Sequence, residues 1–173
     1  SLGGAERYCR SLEEQFRVLK IVTERSVKRV FASGAGICTW MVRHAAWLLQ
    51  RFSVTTGFNS TYVERLWGLP YHGKIACFGE QVVALQAAEV QPGGAQLGGK
   101  VNHRWLTGTC LGKIARSDEH LVAIAPKIVG KFRTIRRRTT SDEQKWTAEA
   151  LQVLTITPWT VSGTFGGEAI RGE

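Results

Sequence analysis

The densest group of chemistry-bearing side chains in this sequence is cationic. Lys127 is followed by Lys131, Arg133, Arg136, Arg137 and Arg138, so five basic residues fall within positions 131 to 138. Guanidinium and ammonium groups at that density suit phosphate oxygens, which accept their hydrogen bonds and balance their charge. If the run is one strand, Lys131 and Arg133 share a face while Arg136 and Arg138 share the opposite one. One phosphate track therefore cannot take all of them. Lys113 and Arg116 can join from a neighbouring hairpin. The plainer reading is a solvated edge strand protected by its charge. Trp105 offers a ring on which a base could stack, against the plainer reading of hairpin packing.

Groups for metal or acid–base chemistry are sparse. Asp118 and Asp142 are the only two aspartates. Asp118-Glu119-His120 holds three ligand types in a row, but consecutive residues on a turn or strand point in different directions, so the three do not converge on one cation. The four histidines show no metal-ligand spacing, and His44 reads as a half-buried mid-helix residue. Cys9, Cys38, Cys77 and Cys110 lie roughly 30 residues apart, too far for a CxxC pair or a zinc knuckle. They read as free thiols of an intracellular protein, most of them in the core. Gly98-Gly99-Lys100 lacks the rest of a phosphate loop. Glu6, taken by itself, is an ordinary acid near a helix start, favoured there by the helix dipole.

The wider composition agrees with a polyanion partner. The net charge is +9 over 173 residues, which favours DNA, RNA or an acidic membrane surface. At 43% hydrophobic and 21% charged the chain reads as folded rather than disordered. Its length suits one medium domain, or a small domain with part of a second. No apolar run approaches the roughly 18 residues of a membrane span. The longest, Trp40 to Phe52, is interrupted by Arg43, His44 and Arg51. The chain opens on Ser1 with a helical pattern already running at Glu6, so a piece of a longer precursor is expected.

These side chains must be positioned by a helical first part and a β-rich second part. Tyr8, Leu12, Phe16, Leu19 and Val22 recur at helical spacing and predict one helix over 4–30. Ser33-Gly34-Ala35-Gly36 breaks it. A second helix is predicted over 37–52, with Ile37, Met41, Ala45, Leu48 and Phe52 inward and Trp40 and Trp47 on a second apolar flank. Two apolar flanks need more cover than the first helix supplies, so missing chain or a partner is expected to provide it. Thr61 and Glu64 are spaced for a capping box on a short helix that ends at Trp67-Gly68 before Pro70. From about residue 74 the pattern becomes strand-like: 74–78, 80–86, 104–114, 120–125 and 130–137 are predicted strands. Ser117-Asp118-Glu119 and Pro126-Lys127 are predicted turns, and 91–99 a flexible loop. The tail carries a short predicted helix near 142–154 and a loose Gly-rich end.

The order of these blocks resembles a copia-like LTR retrotransposon integrase. Gly3-Gly4-Ala5-Glu6-Arg7 resembles the segment that opens the last catalytic helix in that family, with Leu2 where the family usually has Asn. Arg43 to Phe52 resembles the next helix. Asn59 to Gly68 resembles the Thr-Pro-Tyr-Glu box, with Ser60-Thr61-Tyr62 in place of Thr-Pro-Tyr. Cys77-Phe78-Gly79-Glu80 is similar to the Phe-Gly segment that follows. Trp105 to Lys113, Ser117 to Val122 and Lys131 to Arg137 resemble the basic β module after the core. The resemblance covers about residues 2 to 138.

It implies an α+β chain: a helical C-terminal remnant of a ribonuclease-H-like core over 1–73, a small basic SH3-like β module over 74–138, and a tail with a short helix over 139–173. The implied activity is DNA integration by strand transfer, as part of a retrotransposon polyprotein that works inside the cell and on nuclear DNA. Glu6 would be the last carboxylate of an Asp, Asp, Glu set holding Mg2+ or Mn2+ in the full-length enzyme. With neither aspartate placed for that set, this chain alone is expected to hold no metal tightly and to be inactive. Arg10, Arg17 and Lys20 would meet phosphates from the catalytic helix. The partners implied are the DNA of element ends and target, and further copies of the parent integrase, with no membrane. The alternatives are a non-catalytic nucleic-acid-binding module, such as a decayed element copy, and an interaction scaffold whose charge is incidental.

Overall fold

The computed structural model describes residues 2–54, 57, 60–86, 105–138, 141–160 and 170–171. The predicted loop at 91–99 and most of the Gly-rich end lie outside them. The chain forms α1 (Leu2–Val27), α2 (Gly36–Phe52), α3 (Tyr62–Trp67), β1 (Gln81–Leu85), β2 (Trp105–Lys113), β3 (His120–Ala125), β4 (Ile128–Phe132), β5 (Ile135–Arg137), α4 (Asp142–Lys145), α5 (Ala148–Gln152) and β6 (Ile170–Arg171). The class is mixed α+β, with every strand pair antiparallel. No helix among the described residues is long and apolar enough to cross a membrane.

α1 stops at Val27 because Lys28 turns into the left-handed region (φ 54). The Glu24 carboxylate then accepts the N–H of Phe31 at 2.8 Å and pairs with Lys20 at 2.9 Å, fixing the exit. Phe16 and Leu19 pack on the core with buried Thr23 and Val27. Tyr8 and Val22, expected on the inner stripe, are instead exposed, and the helix surface from Gly3 to Ser11 is exposed all round. α3 begins at the predicted capping box: Glu64 N–H donates to the Thr61 hydroxyl at 3.1 Å, and Thr61 N–H to the Glu64 carboxylate at 2.6 Å. Gly68 ends it at φ 70.

Both apolar flanks of α2 are covered by this chain itself. Ile37, Trp40, Met41 and Ala45 are fully buried, and Trp47 nearly so, while Phe52 is exposed rather than inward. Trp40 and Met41 share one core with Phe31 and Phe78, with Leu111, Leu121 and Val129 of the sheet, and with Leu151, Leu154 and Ile156 of the tail. Gly36 lets α2 start against that tail, since a Cβ there would lie 2.6 Å from the Leu154 carbonyl oxygen. The three segments expected at 1–73, 74–138 and 139–173 therefore contribute to a single core, and the tail is structural up to Ile156.

The strands lie in the order β5-β1-β2-β3-β4-β6. Phe132 and Ile135 end β4 and begin β5, so three peptide steps reach at most about 11 Å. In a flat sheet the two strands would stand about 19 Å apart, four spacings of ~4.8 Å. The sheet must therefore coil until its ends approach. Its concave side encloses a second core of Ala76, Val82, Ala84, Cys110, Val122, Phe132 and Ile135. A bulge between Cys110 and Gly112 turns β2 against α2. Gly112 adopts φ 113, and a Cβ there would lie 2.4 Å from His44 Nδ1, so the backbone is pressed against the imidazole.

Two predicted strands do not form as expected. Residues 74–78 are not a strand; Ala76 and Phe78 are buried there as anchors before the turn at Gly79 (φ 82). Residues 130–137 are not one strand but parts of two, with different neighbours. The face-sharing expected for Lys131 to Arg138 consequently fails at Arg133-Thr134.

Candidate nucleic-acid interface

β1 is the scaffold of the candidate interface. Its residue Val83 is registered against Arg136 of β5 on one side and Thr107 of β2 on the other, and Leu85 against Trp105. Side chains at i and i+2 share a face, so Val83, Leu85, Arg136 and Trp105 all point away from the concave core that holds Val82 and Ala84. The exposed Arg136 guanidinium lies 4.4 Å from the centre of the Trp105 ring. That contact holds a long, flexible cation in one place while leaving its N–H groups to the solvent side.

The next arginine does a different job. Arg137 Nε donates to both oxygens of the fully buried Glu80, at 2.8 and 2.9 Å, and Glu80 also accepts the N–H of Cys77 at 3.1 Å. The hydrogen bond to Glu80 pushes the guanidinium pKa above its ordinary value. Arg137 thus ties β5 to the turn before β1, while its side chain stays 56% exposed. Arg133 is exposed beside Glu119 at 3.7 Å, a loose pair worth little. Arg116 is exposed in the turn between β2 and β3, and Lys131 and Arg138 are half-buried.

Lys113 is engaged within the fold. It is 5% exposed, and its ammonium donates to the Tyr71 hydroxyl at 2.6 Å and to Asp118 Oδ2 at 2.7 Å. Tyr71 donates to the same carboxylate at 2.9 Å. Burial, followed by the Asp118 hydrogen bond, raises the Tyr71 pKa. Arg51 flanks the cluster: its guanidinium lies 5.4 Å from the Tyr71 ring centre and donates to the Ala115 carbonyl at 2.6 Å. This network closes the hairpin onto α2 and balances the Lys113 charge with Asp118 inside the fold.

On α1, Glu6 and Arg10 are exposed, Arg17 pairs with Glu13 at 3.6 Å and Lys20 with Glu24 at 2.9 Å. The structure brings none of them to the Arg136 surface. Asp118 is held by Lys113, Glu119 by Ser117 and Arg133, and His120 is buried. Burial depresses His44 and His120 to about 4, so both are neutral at pH 7. Burial also pushes the Cys110 thiol up to about 11; two cysteines are buried, Cys38 and Cys110, while Cys9 and Cys77 are exposed. Among the described residues no group of three His, Cys, Asp or Glu side chains could hold a metal ion.

Comparison with protein-family models, curated proteins and solved structures finds no match. What the chain can do must therefore be read from its own surface. The Tyr71–Lys113–Asp118 network had no sequence signal, because its members are 42 and 47 residues apart from Tyr71. Trp105 carried a signal, but its pairing with Arg136 depends on β5 returning to β1.

Proposed function

We propose that this chain is a nucleic-acid-binding part of a retroelement integrase polyprotein, whose parent protein joins element ends to target DNA. The observation that carries the binding reading is the exposed Arg136 guanidinium stacked on Trp105 at 4.4 Å on the convex face of the sheet. A fixed cation beside an aromatic ring meets a phosphate and the adjoining sugar together. The net charge of +9 supports the same reading, since it draws polyanions from a distance. The return of β5 to β1 after a meander of β1 to β4 agrees with the SH3-like module, and the succession α1, α2, α3 agrees with the end of a ribonuclease-H-like core.

Among the described residues, the carboxylates do not assemble into a divalent-cation site. Glu6 stands exposed on α1, and no second carboxylate joins it in a ligand group among the described residues. No catalytic step is therefore assigned to this chain. In the parent integrase, Glu6 would give one carboxylate to a Mg2+ or Mn2+ site completed by other ligands, with the metal activating the attacking hydroxyl. The isolation of Glu6 favours a second reading for the chain by itself: a non-catalytic binder.

A joining assay separates the two. With a polyprotein that extends this chain upstream, metal-dependent strand transfer is expected, and Glu6→Gln should abolish it while DNA binding persists. Full strand transfer by the Glu6→Gln protein would refute the integrase assignment of that residue. The chain alone is expected to neither nick nor join DNA.

A further inference from the structure

A cleft of about 690 Å³ opens between the first half of α1 and the second half of α2, within the roughly 300–1,000 Å³ range of small-ligand sites. Its walls carry Arg7 and Tyr8 from α1, Arg43 and Trp47 from α2, and Tyr62 from α3, with Lys113 at its base. Among the described residues no carboxylate lines it. Lys113 is already balanced by Asp118, but neither Arg7 nor Arg43 has a carboxylate partner among the described residues. Tyr8 and Tyr62 are about half exposed, at 49% and 54%, so two aromatic rings stand at the rim without being consumed by the core. Trp47 is 3% exposed and its indole N–H has no acceptor among the described residues. A buried donor left unpaired is unfavourable, and a ligand acceptor would satisfy it.

We propose that this cleft takes an unpaired nucleotide of a single-stranded nucleic acid, with the base against Tyr8 and Tyr62 and the phosphates on Arg7 and Arg43. The proposal rests on the nucleic-acid reading above but uses different residues from the Arg136 surface. Arg7 donates to the Gly3 carbonyl and Arg43 lies over the Trp40 ring, and two such cations without an acid select an anion. The aromatic rim selects one with a flat π-face, and stacking of that kind tolerates any base. A duplex keeps its bases paired and stacked inside, so it cannot offer one to the rim. The cleft therefore discriminates strandedness, which the convex face of the sheet does not.

The test is fluorescence anisotropy of the full chain with a labelled oligothymidine of about 12 nucleotides and with a duplex of equal length. Tyr8→Ala and Tyr62→Ala, both at exposed positions, are each expected to weaken the single strand about tenfold and leave the duplex unchanged. Arg43→Gln is expected to weaken the single strand and flatten its salt dependence. A melting curve like that of the unaltered chain confirms that each variant is folded. If the single strand binds all three variants as it binds the unaltered chain, the cleft proposal is wrong and the duplex reading stands. Equal losses for single strand and duplex would also overturn it, because the cleft would then be general electrostatic surface. No binding of either probe by the unaltered chain would remove both readings.

Discussion

The indole N–H of Trp40 donates to the carbonyl oxygen of Ile156 at 2.8 Å, across 116 residues of sequence, and both residues are buried. This single bond joins the first half of α2 to the tail beyond α5. It shows where the second flank of α2 finds its cover: in Leu151, Leu154 and Ile156 of the same chain.

The first expectation follows from that junction. Leu151→Ala removes a fully buried side chain from the shared core and should cost about 2–5 kcal/mol. Trp40→Phe leaves the Ile156 carbonyl unpaired and should cost about 1–3 kcal/mol through that loss and a smaller ring. Urea unfolding followed by circular dichroism measures both. One cooperative transition is expected, and its midpoint should fall in each variant. A tail that melts separately, with the rest of the chain unmoved by Leu151→Ala, would contradict the shared core.

A second expectation concerns acid. His44 and His120 are buried, and burial depresses both from about 6.5 to about 4 in the folded chain. Between those values the unfolded histidines take up protons that the folded ones refuse. Stability contributed by their neutrality is thus complete above about pH 6.5 and is lost as the pH falls toward 4. At about pH 5 each histidine should cost on the order of 2 kcal/mol. Denaturation midpoints measured from pH 7.5 to 4.5 should fall, and His44→Phe should flatten part of the slope. An unchanged slope in that variant would show that His44 does not carry this effect.

Lys113 gives the third. Its ammonium is enclosed and held by Asp118 and Tyr71. Asp118→Asn keeps a residue tolerant of the left-handed backbone at that position (φ 59) but removes the counter-charge. It should destabilise the chain by about 3 kcal/mol, the lower end of the range for a broken buried pair, because the Asp118 side chain is 38% exposed. The double change Lys113→Met with Asp118→Asn should cost less than the sum of the single ones. Thermal melts of the four proteins test this; strict additivity would mean the pair does not interact.

Local signals in the sequence were reliable wherever the cause was local. The Thr61–Glu64 capping box, the break after α1, the turns at Ser117 and Pro126 and the strands at 105–113 and 120–125 all follow from neighbours a few residues apart. Long-range closure was not legible. Lys131 to Arg138 reads as one basic strand, yet Arg133-Thr134 carries the chain from β4 across to β1, because the sheet coils. That closure puts Arg136 on Trp105 and sends Arg137 to Glu80. The roles of two adjacent arginines thus diverge through a buried carboxylate 57 residues away. The partners of Lys113 are illegible for the same reason, since Tyr71 is brought to it only by the folded chain. Tyr8 lies in the part of α1 before Phe16 that the core does not reach, and Val22 lies on the solvent side of the part that it does.

The most direct test of the central claim is the affinity of the chain for a labelled DNA duplex as salt is raised, with Arg136→Ala beside the unaltered protein. Binding should weaken steadily with salt, and Arg136→Ala should bind less tightly at low salt with a log–log slope shallower by about 1. Binding that ignores salt, or an Arg136→Ala protein that binds as the parent does, would contradict it.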